Sequence, residues 1–223
     1  MDFINTIVRF FQEGGPFMYP ISLVLVVGLA IACERWLFLT HAKISNRRAF
    51  DRILPLLSKG EYKKVVAMGN QDDAPVARMV AAGVARMAES QRRDDIELAM
   101  EEGVMEAVPR LEKRTPYLAT LANIATLLGL LGTIIGLIAA FTAVANADPT
   151  EKATLLSQSI SVAMNTTAFG LIAAIPLLLL HAMLQTKTTE IVDSLEMAGV
   201  KCLNLMASAR AVLTKTRTQD ASQ

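Results

Sequence analysis

Charged residues are absent from three long stretches of the chain, residues 14–33, 117–147 and 153–186, which are 20, 31 and 34 residues long. A helix needs about 20 mostly apolar residues to cross a bilayer, so each stretch predicts a transmembrane helix. We place the spans at 16–40, 116–146 and 155–185. At a rise of about 1.5 Å per residue, the second and third runs exceed a hydrocarbon core of ~30 Å. Such helices must tilt or continue past the bilayer packed on protein. The segment 41–115 carries a helical period instead of a strand alternation. Val76, Met79, Val80, Gly83, Val84 and Met87 form one apolar stripe, and Ile96, Met100, Gly103, Val104, Ala107 and Leu111 form a second. Asn-Gln-Asp-Asp-Ala-Pro at 70–75 marks a turn between helices, and Asp94 with Glu97 suits the start of the later one. In residues 1–15, Phe3, Ile4, Ile7, Val8 and Phe11 share a face, while Asp2, Asn5, Thr6, Arg9 and Gln12 lie elsewhere. That is the pattern of an amphipathic interfacial helix, ended by Gly14-Gly15-Pro16. It lacks the basic start and small-residue cleavage site of a secretory signal. The predicted fold class is an all-α integral membrane protein. Its three transmembrane helices extend into a cytoplasmic helical region at 41–115, with a short outer connection at 147–154 and a cytoplasmic tail at 186–223.

Composition agrees. The chain is 52% hydrophobic and 19% charged, against about 25% charged for soluble domains, which excludes an ordinary soluble enzyme. A net charge of +1 supplies no field for nucleic acid. The position of the basic residues carries more information. Lys and Arg number 14 in 40–116 and five in 185–223, but one in 1–20 and one in 146–154. The positive-inside rule then puts the first two segments in the cytoplasm and the amino terminus outside. Lys43, Arg47 and Arg48, just past the first span, are placed to attract anionic lipid headgroups. Cys33 and Cys202 have no paired spacing, so neither a disulfide framework nor a metal site is expected. His41 and His181 stand alone and read as polar residues near a membrane boundary, and no cofactor is expected. No nucleophile–base pair appears in or near the spans, so an enzyme is not expected.

The second span carries Asn123, Thr126 and Thr133 along one side, with Gly132 and Gly136 as a small-xxx-small pair that permits close helix approach. The third carries Ser159, Asn165, Thr166 and Thr167, then Gly170, and Pro176, which is expected to kink or loosen the helix. Hydroxyls in membrane helices often bond their own backbone or glue helices together. Two polar stripes together also suit a partner helix or a hydrated path. Neither span has an internal carboxylate, Lys or Arg. Proton relays use ionisable side chains, so a titrating group would have to come from another chain.

The run from Leu118 to Gly136, LATLANIATLLGLLGTIIG, and the run from Thr167 to Pro176, TAFGLIAAIP, resemble the second and third spans of the MotA/TolQ/ExbB proton-channel family, most nearly its ExbB/TolQ branch. The three-span layout with a long cytoplasmic loop is similar too. The resemblance implies a pentamer of this subunit in a ring around a central pore. The pore would hold single-span helices of an ExbD/TolR-type partner whose aspartate carries the proton, in the bacterial inner membrane. It further implies that proton flow does mechanical work, in the ExbB branch for TonB-dependent outer-membrane import and in the Tol branch for envelope integrity and division. The family's pore threonines fall on Thr133 and Thr167. Many ExbB-like members carry a glutamate five residues before the second threonine, where this chain has Val162; a sodium-driven member is the alternative that this departure raises. A purely structural membrane scaffold is the reading from another class.

Overall fold

The computed structural model describes residues 14–90, 92–145 and 147–220, with side chains described as far as Ser208. The amphipathic helix expected at 1–15 lies almost wholly outside the described residues. The described elements are six helices: α1 (Met18–Ser58), α2 (Tyr62–Gln71), α3 (Pro75–Glu89), α4 (Arg93–Glu112), α5 (Thr115–Ala145) and α6 (Lys152–Asp220). No strand occurs among the described residues. The apolar stretches of α1, α5 and α6 are long enough to cross a membrane. Both α1 and α6 run on well beyond their uncharged portions. Helix α6 continues through Pro176 without interruption, as α1 does through Pro55.

Contacts divide the chain into two compact units. The first comprises residues up to Arg35 and from Arg114 to Leu184. Small side chains make up much of its interior: Ala122, Ala125, Gly129, Gly132, Ala163, Gly170, Ala173 and Ala174 are buried, together with the larger Met18, Ile21, Leu118, Leu177 and Leu184. Many of its large apolar side chains point outward, with Leu23, Leu127, Phe141 and Leu179 more than half exposed. A soluble domain would invert this arrangement. In lipid there is no hydrophobic force between helices, so close backbone packing of small residues holds them together. Arg114, which joins α4 to α5, has φ 68° and reaches Glu34 at 3.4 Å.

The second unit comprises Trp36–Lys113 and Gln185 onward. Here the core follows ordinary amphipathic rules. Val76, Met79, Val80 and Val84 of α3 are buried, as are Ile96, Met100, Val104, Ala107 and Leu111 of α4. Leu39, Ile53 and Leu57 of α1 and Ile191, Leu195 and Met206 of α6 complete it. The turn at 70–75 forms between α2 and α3, where the Asp72 carboxylate accepts from the Ala74 N–H at 3.0 Å and Pro75 opens α3. The start of α4 differs from expectation. Asp94 and Asp95 lie inside its first turn, Arg92 is the capping residue, and no side-chain cap bond forms. Instead Ser90, four residues before Asp94, bonds the Asp95 carboxylate and accepts from the Arg92 N–H at 3.3 Å.

Candidate functional site

The site is built where α5 and α6 meet in the first unit. Gly129 and Gly170 set their separation: a Cβ added at Gly170 would lie 2.8 Å from the Ala125 carbonyl oxygen and 3.0 Å from the Gly129 Cα. Gly132 and Gly136 face the same helix, the first against the Thr166 methyl and the second against Ala163. The expected small-residue pair thus packs on α6 of its own chain.

Close approach brings two hydroxyls together. Thr133 Oγ1 and Thr167 Oγ1 are 2.6 Å apart. Thr167 Oγ1 also lies 2.8 Å from the Gly129 carbonyl, and Thr133 Oγ1 lies 2.9 Å from the Leu130 carbonyl. Each hydroxyl has one proton and two acceptor sites. Either Thr133 donates to Thr167, which donates to Gly129, or Thr167 donates to Thr133, which donates to Leu130. Both arrangements satisfy the pair and leave an oxygen able to accept from a guest. Both side chains are half-buried. The pair can orient a water or hold a polar guest, but a threonine hydroxyl cannot store a proton near neutral pH.

The remaining span residues fall into distinct settings. Thr166 is buried and donates to the Gly14 carbonyl at 2.6 Å, so it ties α6 to the turn ahead of α1. Thr126 is exposed and bonds the Ala122 carbonyl of its own helix at 3.1 Å. Asn123 is exposed, and Asn165 and Ser159 are half-buried. Pro176 is exposed. Val162 lines an open cleft with Gly15, Ser157, Gln158 and Ser161. His181 Nδ1 donates to the Thr115 carbonyl at 3.1 Å, pinning α6 to the start of α5.

The basic residues proposed to meet lipid belong to the second unit. Arg47 and Arg48 are exposed. Lys43 pairs with Glu190 at 2.8 Å, and that hydrogen bond holds the Glu190 carboxyl below its ordinary range. Beside them Lys187 sits 3.9 Å above the Trp36 ring and donates to Thr40 Oγ1 at 2.5 Å. Burial and then repulsion from Lys43 lower the Lys187 pKa, with Glu190 opposing. Among the described residues, no group of three or more His, Cys, Asp and Glu is placed to hold a metal ion.

Sequence reasoning did not single out Gly129 or the Gly14 carbonyl as partners. Gly129 lies four residues before Thr133 on the same helix face, a signal that small-residue spacing does carry. The Gly14 carbonyl gives none, because a main-chain oxygen 152 positions from Thr166 leaves no trace in side-chain pattern.

Residues 71–197 match the MotA/TolQ/ExbB proton channel family, a region that includes both threonines. A putative biopolymer transport protein ExbB homolog of Methanothermobacter thermautotrophicus is 27% identical over 199 residues, 88% of this chain and 69% of that protein. A putative biopolymer transport protein ExbB-like 3 of Synechocystis sp. is 26% identical over 169 residues, 75% of this chain and 80% of its own. The Tol-Pal system protein TolQ of Haemophilus influenzae is 36% identical over 95 residues, 42% of this chain and 40% of its own.

Proposed function

We propose that this chain, which belongs to the MotA/TolQ/ExbB proton channel family, is the ring-forming subunit of an ion-driven motor in the bacterial inner membrane. Five copies surround a central pore that admits single-span helices of an ExbD/TolR-type protein. The observation that supports this best is the Thr133–Thr167 hydroxyl pair at 2.6 Å in two spans without internal charge. Such a lining offers hydrogen bonds to a passing carboxyl group but no titrating group of its own. The guest's aspartate then alternates between a neutral form that tolerates apolar surface and an ionised form that stays beside hydroxyls or water. Each elementary charge moved inward across ~100 mV releases about 2.3 kcal/mol. Unequal numbers of ring subunits and guest helices keep all contacts from being satisfied together, so each proton step favours rotation.

In this reading Thr133 and Thr167 line the ion path, with Asn123, Thr126, Ser159 and Asn165 as further polar positions along it. Residues 41–115 and 186–223 face the cytoplasm and the amino terminus faces the periplasm, as the Lys and Arg distribution favours. The work drives TonB-dependent import. The breadth of the ExbB-named similarities, 75% and 88% of the chain, supports that branch over the shorter TolQ match. Deleting the gene tests it. Iron-starvation growth failure, restored by the wild-type chain but not by Thr167→Val, is expected. Detergent sensitivity with normal iron uptake would assign the chain to the Tol role instead.

A further inference from the structure

Two grooves flank α6 in the second unit, and their charges are opposite. One, of about 390 Å³, lies beside α1. Its floor includes Ile44, Phe50 and Met197, and its rim carries Lys43, Arg47 and Lys201. The other, of about 480 Å³, lies beside α4. Its floor includes Met105, Val200 and Leu203, and its rim carries Glu97, Glu101 and Glu196. Lys43 already holds Glu190, so Arg47 and Lys201 supply the net positive charge of the first groove. The three glutamates of the second have no basic partner among the described residues.

Helix geometry separates the two grooves. At about 100° per residue, Lys201 and Leu203 are turned roughly 200° from each other around α6. Leu195, Ala198, Cys202 and Met206 occupy the buried sector of the helix. The grooves therefore open on opposite sides of the same helix. Each also presents large apolar side chains to the outside. Ile44 is 45% and Met197 57% exposed on one, and Met105 is 69% and Val200 53% exposed on the other. Apolar floors with rims of a single sign are what a polar-rimmed protein contact needs.

A ring of identical copies requires a head-to-tail contact, in which one side of each copy fits a different side of the next. We infer that the α4–α6 groove, edged by Glu97, Glu101 and Glu196, docks against the α1–α6 groove, edged by Arg47 and Lys201, of a second copy of this chain. Charge complementarity selects that occupant. Like grooves brought face to face would place carboxylate against carboxylate or cation against cation, which disfavours a two-fold pairing. The contact rests on the proposed ring and names surfaces that close it outside the membrane spans.

The test is disulfide cross-linking of the full chain in membranes, co-expressed with its partner. The exposed Cys33 is changed to Ser, and Cys202, which is fully buried, is left in place. Ile44→Cys combined with Met105→Cys should give a ladder of covalent oligomers on oxidation, while either variant alone should give none. In the same background, Arg47→Glu with Lys201→Glu should lower the ladder yield about tenfold or more, since like charges across a contact repel. Adding Glu97→Lys and Glu101→Lys should restore it, which also shows that the reversed chain folds. An oligomer on native gels that gives no ladder from the double variant would overturn the contact and leave the ring standing. Cross-linking by a single variant, or a ladder indifferent to charge reversal, would overturn it too. A wild-type chain that migrates as a single copy would remove the ring itself.

Discussion

Thr166 and Thr167 are consecutive in α6, yet their hydroxyls serve different partners. Thr166 donates to the Gly14 carbonyl at 2.6 Å within the chain interior, and Thr167 meets Thr133 at 2.6 Å on the α5–α6 seam. A 100° turn between neighbours is enough to send one side chain inward and the other along the seam. The two residues therefore predict different phenotypes.

Thr167→Val or Thr133→Val should leave assembly intact and reduce proton flux. A hydrogen bond to a charged or partly charged group is worth about 1.5–3 kcal/mol, so the flux should fall roughly tenfold or more. Thr166→Val should instead lower stability by about 1–3 kcal/mol, because the Gly14 carbonyl loses its partner. Flux in reconstituted vesicles and thermal unfolding in detergent separate the two effects.

Gly170→Ala should destabilise the first unit. The added Cβ would meet the Ala125 carbonyl oxygen at 2.8 Å and the Gly129 Cα at 3.0 Å, both backbone atoms that can yield only if α5 and α6 separate. Overpacking of this kind costs about 1–3 kcal/mol. Gly199→Ala is the control in the same helix. Its nearest neighbours are the tips of the Met79 side chain at 3.7 Å, so stability should hold or rise by up to about 1 kcal/mol from helix propensity. Helix melting followed by circular dichroism reads both.

Trp36 is the sole tryptophan of the chain, so its fluorescence reports on the Lys187 ammonium above the ring. The Lys187 pKa lies below the ordinary 10.5, through burial first and Lys43 second. An alkaline titration of the folded protein should show a Trp36 transition with a midpoint below 10.5, and Lys187→Met should abolish it. The unfolded chain holds that proton to higher pH than the folded one. Between the two midpoints the unfolded state binds more protons, so the contribution of Lys187 to stability grows as pH rises.

Cys202 is fully buried, and burial pushes its thiol up to about 12. A maleimide at pH 8 should not modify it in the native protein and should do so after denaturation, as mass spectrometry of the Cys33→Ser variant would show. The folded thiol keeps its proton where an unfolded one, near 9.0, begins to lose it. Its contribution to stability is intact below about 9 and is lost as pH climbs toward about 12.

Much of this architecture is legible along the chain, for physical reasons. The membrane-length helices are visible because a buried charge in lipid is so costly that its absence over 31 or 34 residues has few other causes. The stripes of α3 and α4 are visible because one face packs and the other is wet; of the twelve stripe residues only Met87 and Gly103 are less than fully buried. Helix α1 is harder to read. Arg47-Arg48 and Pro55 suggest punctuation, yet the helix continues to Ser58 because Asn46, Ala49, Ile53 and Leu57 bury one side of it. Asn46 Oδ1 also accepts from the Val76 N–H at 3.2 Å. The start of α4 misleads because Asp94 has capping chemistry, but the adjacent Ser90 and Asp95 bond each other first. The partition of the span hydroxyls was hidden for a different reason. Spacing shows which residues share a face of one helix, and only packing shows what that face meets.

Proton flux into liposomes tests the central claim most directly, with the purified chain reconstituted alone and together with its single-span, aspartate-bearing partner. The hydroxyl-lined spans hold no internal carboxylate, Lys or Arg, so we expect little flux from the chain alone and a large increase with the partner. That increase should be lost when the partner's aspartate is changed to asparagine. Equal flux with and without the partner would contradict it.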